Sequence, residues 1–515
     1  MYHSKHKCGN TLAVVFLLIA SLGFRFVFSA THIAFGQDIA RDNWLIQQRI
    51  ENQTLIVDYG PKASVGNFYL PPLYYQIHVV FSLISHNDPL TMKWVITFIE
   101  ALSPVILFLV LKELFNTRLA VLSSLVYIVA PIPLQYGTTA WNPNMIPFLS
   151  LLILYSSIQV IKHKRFWYIP VACVTFITAF QFHYQAMVLF PFLVIIFIYT
   201  TRVLDVKNLC KYWLFGVLLM FVTLLPYFAA ELQNNFQNTS AIITYFSQEH
   251  AQYYERISKP TYIATFFPQF FDRVLFGKET YHSIIGLCIY FGGIFTLLHS
   301  YHRSKRFETI LILMYFLSIM LMLRVFKGDK LDYYLSTLYF MPFILLTSLF
   351  EAIKSKFVIG SFFGLLVFSL GIHLSQWRSY DDFTGLRQTM EYIQQNTPDK
   401  SVRLLFHDDD FVNTVFYGIN IFTSLKIDSN STTTIDICNN KDVCAWDSRP
   451  DSKHSLAYSQ IAQFKADAQF TQLSHRFGNV PFQVIIGRIA NPATILNTTG
   501  FMYQGEQGSD FLMSY

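Results

Sequence analysis

Charge is what this chain has least of. Only 14% of its 515 residues are Asp, Glu, Lys or Arg, against 53% hydrophobic residues and 51 phenylalanines. A soluble globular chain carries about 25% charged residues, so the shortage excludes that class and points to a membrane protein. The net charge of +6 is too small to suggest a nucleic-acid partner, and none is expected. Cysteine is also scarce, with six in the whole chain and no zinc spacing. Cys438 and Cys444 stand in a polar stretch and would close a small disulfide loop if that stretch lies outside the cytosol. A phosphate-cradling glycine loop, a nucleophile elbow, a metal-ligand cluster and internal repeats are all missing from the sequence. No cofactor is expected on these grounds, with a divalent ion at Asp38 kept open.

Long apolar runs are present in quantity. A helix crosses a bilayer with about 20 mostly apolar residues, or as few as about 17. Runs of that size fall at 11–30, 94–111, 119–135, 145–161, 166–182, 184–201, 212–230, 281–299, 309–325, 333–350 and 357–375. The first follows a basic stretch, His3 to Lys7, and reads as an uncleaved span rather than a signal peptide, since Arg25 interrupts its end. A further stretch, 69–86, is ambiguous. Lys and Arg mark cytoplasmic turns, and such clusters occur at Lys112 and Arg118, at Lys162, Lys164 and Arg165, at Arg202, Lys207 and Lys211, at Arg303, Lys305 and Arg306, and at Lys354 and Lys356. Together with Lys5 and Lys7 they agree on one orientation only if 69–86 does not cross. That stretch therefore reads as an interfacial or re-entrant helix on the outer side.

The expectation is an α-helical polytopic protein of the plasma (inner) membrane, with about eleven transmembrane helices and a cytoplasmic N-terminus. A transmembrane domain, 1–375, would expose outer loops 31–93, 136–144, 231–280 and 324–332. A small extracytoplasmic α/β or α+β domain, 376–515, would follow. In that tail Leu386, Met390 and Ile393 have helical spacing, Val402–Phe406 is strand-like, and a second apolar run covers Val480–Ile486.

The first outer loop carries the densest polar pattern. From Asp38 to Glu51 it is amphipathic and helical, with Ile39, Ile46 and Ile50 on one face. Asp38 and Asp42 fall one turn apart on another face, beside Arg41. This reads either as a solvated charged face or as a carboxylate held at the membrane surface as a general base. Pro71-Pro72-Leu73-Tyr74-Tyr75 then suits a helix start. The stretch 324–334 is rich in cations (Arg324, Lys327, Lys330) although it lies in an outer loop, which calls for an anionic partner or for lipid headgroups. His78, Glu100, His183 and Glu231 are ionisable groups near membrane depth, which are functional candidates by default. Glu100 reads as a structural hydrogen-bonding group.

An acidic residue just beyond the first span, an amphipathic outer helix and a Pro-Pro-Leu-Tyr-Tyr start together resemble the GT-C glycosyltransferases. The closer resemblance is to the branch of protein O-mannosyltransferases and lipid A aminoarabinose transferases. Trp141-Asn142-Pro143-Asn144, Gln181-Phe182-His183-Tyr184, and Pro226 to Leu232 with Asn238-Thr239 are similar to stretches of a bacterial subgroup. The likeness runs over roughly residues 8–375.

It implies a sugar carried on a polyprenyl phosphate and moved, with inversion, to a glycan, lipid or protein acceptor at the outer face of the membrane. Asp38 would be the base, assisted by Asp42. Arg41, Arg324, Lys327 and Lys330 would face the donor phosphate. Tyr74, Tyr75, Asn142, Asn144, His183, Glu231 and Tyr333 would line the substrate site. Two departures from the family pattern stand out: the usual Asp-Glu pair reads Asp38-Ile39, and a second-loop Asp reads Asn144. The competing readings are a transporter or flippase of lipid-linked sugars, which should show paired repeats, and a non-catalytic envelope assembly protein.

Overall fold

The structure, a computed structural model, describes residues 2–63, 67–203, 206–247, 258–277, 284–325, 332–376, 380–397, 400–406, 409–428, 431, 433–439, 473–474 and 481–488. They form two compact units. The first joins Met1–Ala30 to Thr54–Arg378, and the second joins Thr31–Gln53 to Ser379–Tyr515.

The first unit is a helical bundle. Seven helices, counted among the described residues, are long and apolar enough to cross a membrane. They are Asn10–Thr31, Thr91–Leu114, Asn142–His163, Tyr184–Arg202, Leu209–Gln233, Ile284–Ser304 and Phe307–Arg324. A bent pair, Asp332–Leu338 and Met341–Ile353, makes an eighth.

The remaining three of the eleven expected runs are also helical; those at 119–135 and 166–182 are shorter than a full crossing, whereas 357–375 lies in the 21-residue helix Lys356–Gln376. The run at 119–135 is broken into Thr117–Val129 and Pro131–Tyr136. Pro131 has no N–H to continue the ladder and would clash with the preceding turn. The run at 166–182 stops at Phe182, where His183 turns extended, and Lys356–Phe368 is the apolar part of the last. The helix Leu73–Ile84, within the ambiguous stretch, has 12 residues, about 18 Å at 1.5 Å per residue. That is too short to span the roughly 30 Å hydrocarbon core.

Three of the expected cytoplasmic turns share one device. The helices ending at His163, Ser304 and Ile353 are each closed by a lysine in left-handed conformation: Lys164 (φ 55°), Lys305 (φ 51°) and Lys354 (φ 57°). A left-handed residue lets the next N–H reach back to the orphan carbonyls of the last turn. Lysine accepts some steric cost at this position, and it puts a cation at the negative helix end. One residue thus caps the helix and carries a charge of the kind expected in a cytoplasmic turn.

The second unit is mixed. Strand β1 (His32–Ile33) pairs in parallel with β2 (Tyr380–Asp381). Strands β3 (Ser401–Phe406), β4 (Lys426–Ile427), β5 (Thr433–Asn439), β6 (Leu473–Ser474) and β7 (Pro481–Arg488) form a sheet of order β4-β3-β5-β7-β6. It is parallel across β4, β3 and β5, and antiparallel at β7 and β6. Helices Asp382–Asn396 and Asp409–Phe422 cover the expected helical pattern and the stretch after β3. The strand-like runs of the sequence became β3 and β7. Cys438 lies in β5, while Cys444 lies outside the described residues.

By contacts the bundle runs on to Arg378, beside the expected boundary at 375/376. Residues 31–53, read as an outer loop of the bundle, belong with the C-terminal portion. Their helix, Gln37–Glu51, matches the expected amphipathic segment.

Candidate functional site

The carboxylate pair sits on that helix. Gly36 precedes it in extended conformation, and Asp38 falls in its first turn, where the positive end of the helix favours an acid. The spacing of three and one residues brings Arg41 onto both acids. Its Nη1 donates to Asp38 Oδ1 at 2.9 Å, while Nε and Nη2 donate to Asp42 Oδ1 at 3.1 and 2.8 Å. The two acids differ in access: the Asp38 side chain is 42% exposed and that of Asp42 only 2%. One guanidinium between two carboxylates leaves one net negative charge, and the open acid is Asp38. At least three of the five N–H donors of Arg41 are already turned to the acids.

In the bundle, three 3₁₀ turns stand at the starts of three spans: Asn142–Met145, Tyr184–Leu189 and Asp332–Leu338. Irregular backbone at membrane depth is tolerated only where protein or water covers it. The turns converge. The Trp141 ring meets Tyr333 edge-on at 4.6 Å, and His183 meets Tyr333 at 5.9 Å and Tyr334 at 6.0 Å.

His183 Nδ1 accepts the backbone N–H of Gln185 at 3.2 Å. The neutral ring therefore carries its hydrogen on Nε2, which is left as a donor. Burial pushes this imidazole's pKa down to about 4, so it is neutral at pH 7. Asn142 and Asn144 are buried and spend their amide N–H groups on Phe182 O (2.6 Å) and Thr139 O (2.9 Å), which fixes the turn that presents Trp141. Arg273 of helix Phe267–Phe276 pairs with Asp332 at 3.0 Å. Sequence reasoning passed over it, although it is another cation in an expected outer loop. Arg324 lies over the Tyr262 ring at 5.3 Å. Lys327 and Lys330 lie outside the described residues.

Glu231 has a different use. Its Oε1 accepts from the Tyr59 hydroxyl at 2.8 Å, and Oε2 accepts from Thr239 N at 2.8 Å and Thr239 Oγ1 at 2.5 Å. Burial, and then the bond to this carboxylate, raise the Tyr59 phenol above its ordinary pKa. Asn238 adds a clamp on Tyr69, donating to its carbonyl at 3.0 Å and accepting from its N–H at 2.6 Å. The Tyr184 hydroxyl donates to the same carbonyl.

The clamped stretch pairs with the one before it: Gly60 N donates to Leu70 O at 2.7 Å and Leu70 N to Pro61 O at 2.9 Å. Only glycine fits at position 60, since a Cβ would stand 2.4 Å from Pro71 O. Glu231 and Asn238 thus pin Tyr59 and Tyr69 to the bundle. Tyr74 and Tyr75 are buried, with Tyr74 against Phe182 and His78.

Glu100 is structural in the same sense, accepting from Ser103 Oγ at 2.8 Å and Phe148 N at 3.1 Å. Among the described residues, no group of three or more His, Cys, Asp or Glu is placed to hold a metal ion.

Three comparisons bear on this arrangement. Residues 70–228 match the family model described as Dolichyl-phosphate-mannose-protein mannosyltransferase. No curated protein matches the chain. Among solved structures, ArnT from Cupriavidus metallidurans bound to undecaprenyl phosphate is 12% identical, with a TM-score of 0.58 over 93% of this chain and 98% of that one. The same enzyme in the apo state gives 0.59 at 11% identity, over 92% and 98%. The oligosaccharyltransferase from Archaeoglobus fulgidus in the apo form gives 0.53 at 12% identity, covering 81% of this chain and 64% of that one. The fold extends over nearly the whole chain.

Proposed function

We infer that this chain, which has the fold of the GT-C membrane glycosyltransferases, is itself a membrane glycosyltransferase, and we propose that it transfers a sugar from a polyprenyl-phosphate donor to an acceptor at the outer face of the membrane. The observation that carries the proposal is the Asp38–Arg41–Asp42 group on a helix directly after the first span. Support comes from the family-model match over 70–228 and from the fold shared with an enzyme that binds undecaprenyl phosphate.

In this reading Asp38 takes the proton of the acceptor hydroxyl as its oxygen attacks the anomeric carbon. The bond from that carbon to the phosphate oxygen breaks on the opposite side, and the lipid phosphate leaves with the electron pair. Attack opposite the leaving group inverts the sugar carbon. Arg41 holds Asp38 oriented, and the buried Asp42 holds Arg41 in turn. Arg324, Lys327 and Lys330 are assigned to the growing negative charge on the lipid phosphate. In the bundle, the Trp141–Tyr333 rings and the Nε2–H of His183 offer an apolar face beside one donor, the combination that orients a small polar ligand. The lysine-rich turns are placed in the cytoplasm, which puts the second unit outside.

The test is transfer by the purified protein in proteoliposomes, given a panel of undecaprenyl-phosphate-linked hexoses, pentoses and aminopentoses with envelope extract as acceptor. Free undecaprenyl phosphate and an inverted glycosidic product are expected. A transporter or flippase of lipid-linked sugars would move the donor intact and release no lipid phosphate, and that outcome would reject the enzyme reading.

A further inference from the structure

The carboxylate helix Gln37–Glu51 has 15 residues. Isolated helices of about 12–15 residues are marginal in water, so its order must come from packing. Its partner is remote in sequence. Trp44 meets Phe416 edge-on at 5.8 Å and Tyr417 at 5.4 Å, both on helix Asp409–Phe422. Just before the helix, Phe35 is 1% exposed, and its ring lies 5.2 Å from Phe383 and 6.1 Å from Phe422. The β1–β2 pairing ties His32–Ile33 to Tyr380–Asp381 at the same end.

The helix is thus held at its N-terminal approach and at its middle. Trp44 lies six residues after Asp38, about 120° round the helix from it. The Trp44 contact therefore lies away from the open Asp38, while Asp42 is buried. Fixing Trp44 fixes the rotation of the helix about its axis, and with it the direction in which Asp38 and Asp42 project.

We propose that the C-terminal unit serves as the mount of the carboxylate helix, with Trp44, Phe416 and Phe35 as positioning residues that set the aim of Asp38. This rests on the reading of Asp38 as the base and goes beyond it, since it gives the C-terminal segment of the second unit, from Ser379 on, a part in the reaction without placing any residue of that segment on substrate.

The experiment uses full-length Phe416→Ala and Phe416→Tyr in proteoliposomes with the same undecaprenyl-phosphate-sugar panel, alongside amide exchange over residues 37–51. Phe416→Ala is expected to speed exchange across 37–51 and to lower kcat by roughly 10- to 100-fold, the scale of a misplacement of about 1 Å. KM for the donor should stay within about twofold, and Phe416→Tyr, which keeps the ring, should restore turnover. Faster exchange with unchanged kcat would overturn the proposal, as would unchanged exchange and turnover together. If Phe416→Ala opens the whole C-terminal unit, Trp44→Leu is the deciding variant, with the same expectations. Asp38→Asn run in parallel separates the two claims. Full turnover in Asp38→Asn removes the base reading whatever Phe416→Ala does, whereas an inactive Asp38→Asn beside a fully active, loosened Phe416→Ala removes only the mount.

Discussion

Glu231 and Asp38 are both acids near the end of an apolar helix, and they are put to opposite uses. Glu231 is 1% exposed and receives three hydrogen bonds. Asp38 is 42% exposed in its side chain and shares a single guanidinium with a second acid. A buried carboxylate saturated by donors is committed to structure, because any other use would leave those donors unpaired. An open carboxylate in the first turn of a helix keeps acceptor capacity for an incoming proton. What separates a strut from a candidate base is therefore the number of donors already spent on the acid, which residue type alone does not reveal.

The comparison can be broken in several places. The largest stability effect is expected for Arg41→Ala, which strips the buried Asp42 of its guanidinium and should cost about 3 kcal/mol or more. The loss should appear as faster amide exchange over 37–51, with partial recovery in Arg41→Lys. Equal protection in all three proteins would mean that the triad does not hold the helix. Next comes Glu231→Gln. The amide keeps one acceptor but turns an N–H toward the Thr239 donors, and should lower stability by about 1–3 kcal/mol. The apparent Tm in detergent should drop, with kcat of the folded fraction within a few-fold of the parent. A normal Tm with lost turnover would move Glu231 to the chemistry instead.

The smallest effect is the pH response of His183. Its pKa is lowered from the ordinary 6.5 to about 4 in the folded protein. Above pH 6.5 the ring is neutral folded or unfolded and contributes no pH dependence. As pH falls from 6.5 toward 4, the unfolded chain takes up the proton and the folded one does not. Stability declines over that window by at most about 1.4 kcal/mol per pH unit. Apparent Tm measured from pH 7 to 4.5 should fall less steeply in His183→Gln, and identical slopes would remove the assignment.

Much of this was legible beforehand. Apolar runs located the long bundle helices, because span length and hydropathy are local properties, but not Gln237–Ser247 and Phe267–Phe276, which lie in the expected loop 231–280. The helix at 37–51 was visible for the same reason, from the spacing of Ile39, Ile46 and Ile50. The break at Pro131 was in plain view as a residue, yet the apolar run read straight through it. The fate of Glu231 was hidden, since its partners Tyr59 and Thr239 are fixed by tertiary packing rather than by spacing. So was the membership of residues 31–53 in the second unit, which rests on Trp44, Phe416 and Phe383, three rings with no local signal linking them. Asn142 and Asn144 were noticed for their polarity, but their bonds go to backbone carbonyls, and the ring that this arrangement sets against Tyr333 is Trp141.

The central claim is that the open acid of the triad takes the acceptor proton. Its most direct test is the rate of undecaprenyl-phosphate release by Asp38→Asn in proteoliposomes, at unchanged Tm. Loss of a general base predicts a fall of about 10²- to 10⁴-fold in kcat with donor KM little altered. Release at the parent rate from a correctly folded Asp38→Asn would contradict it.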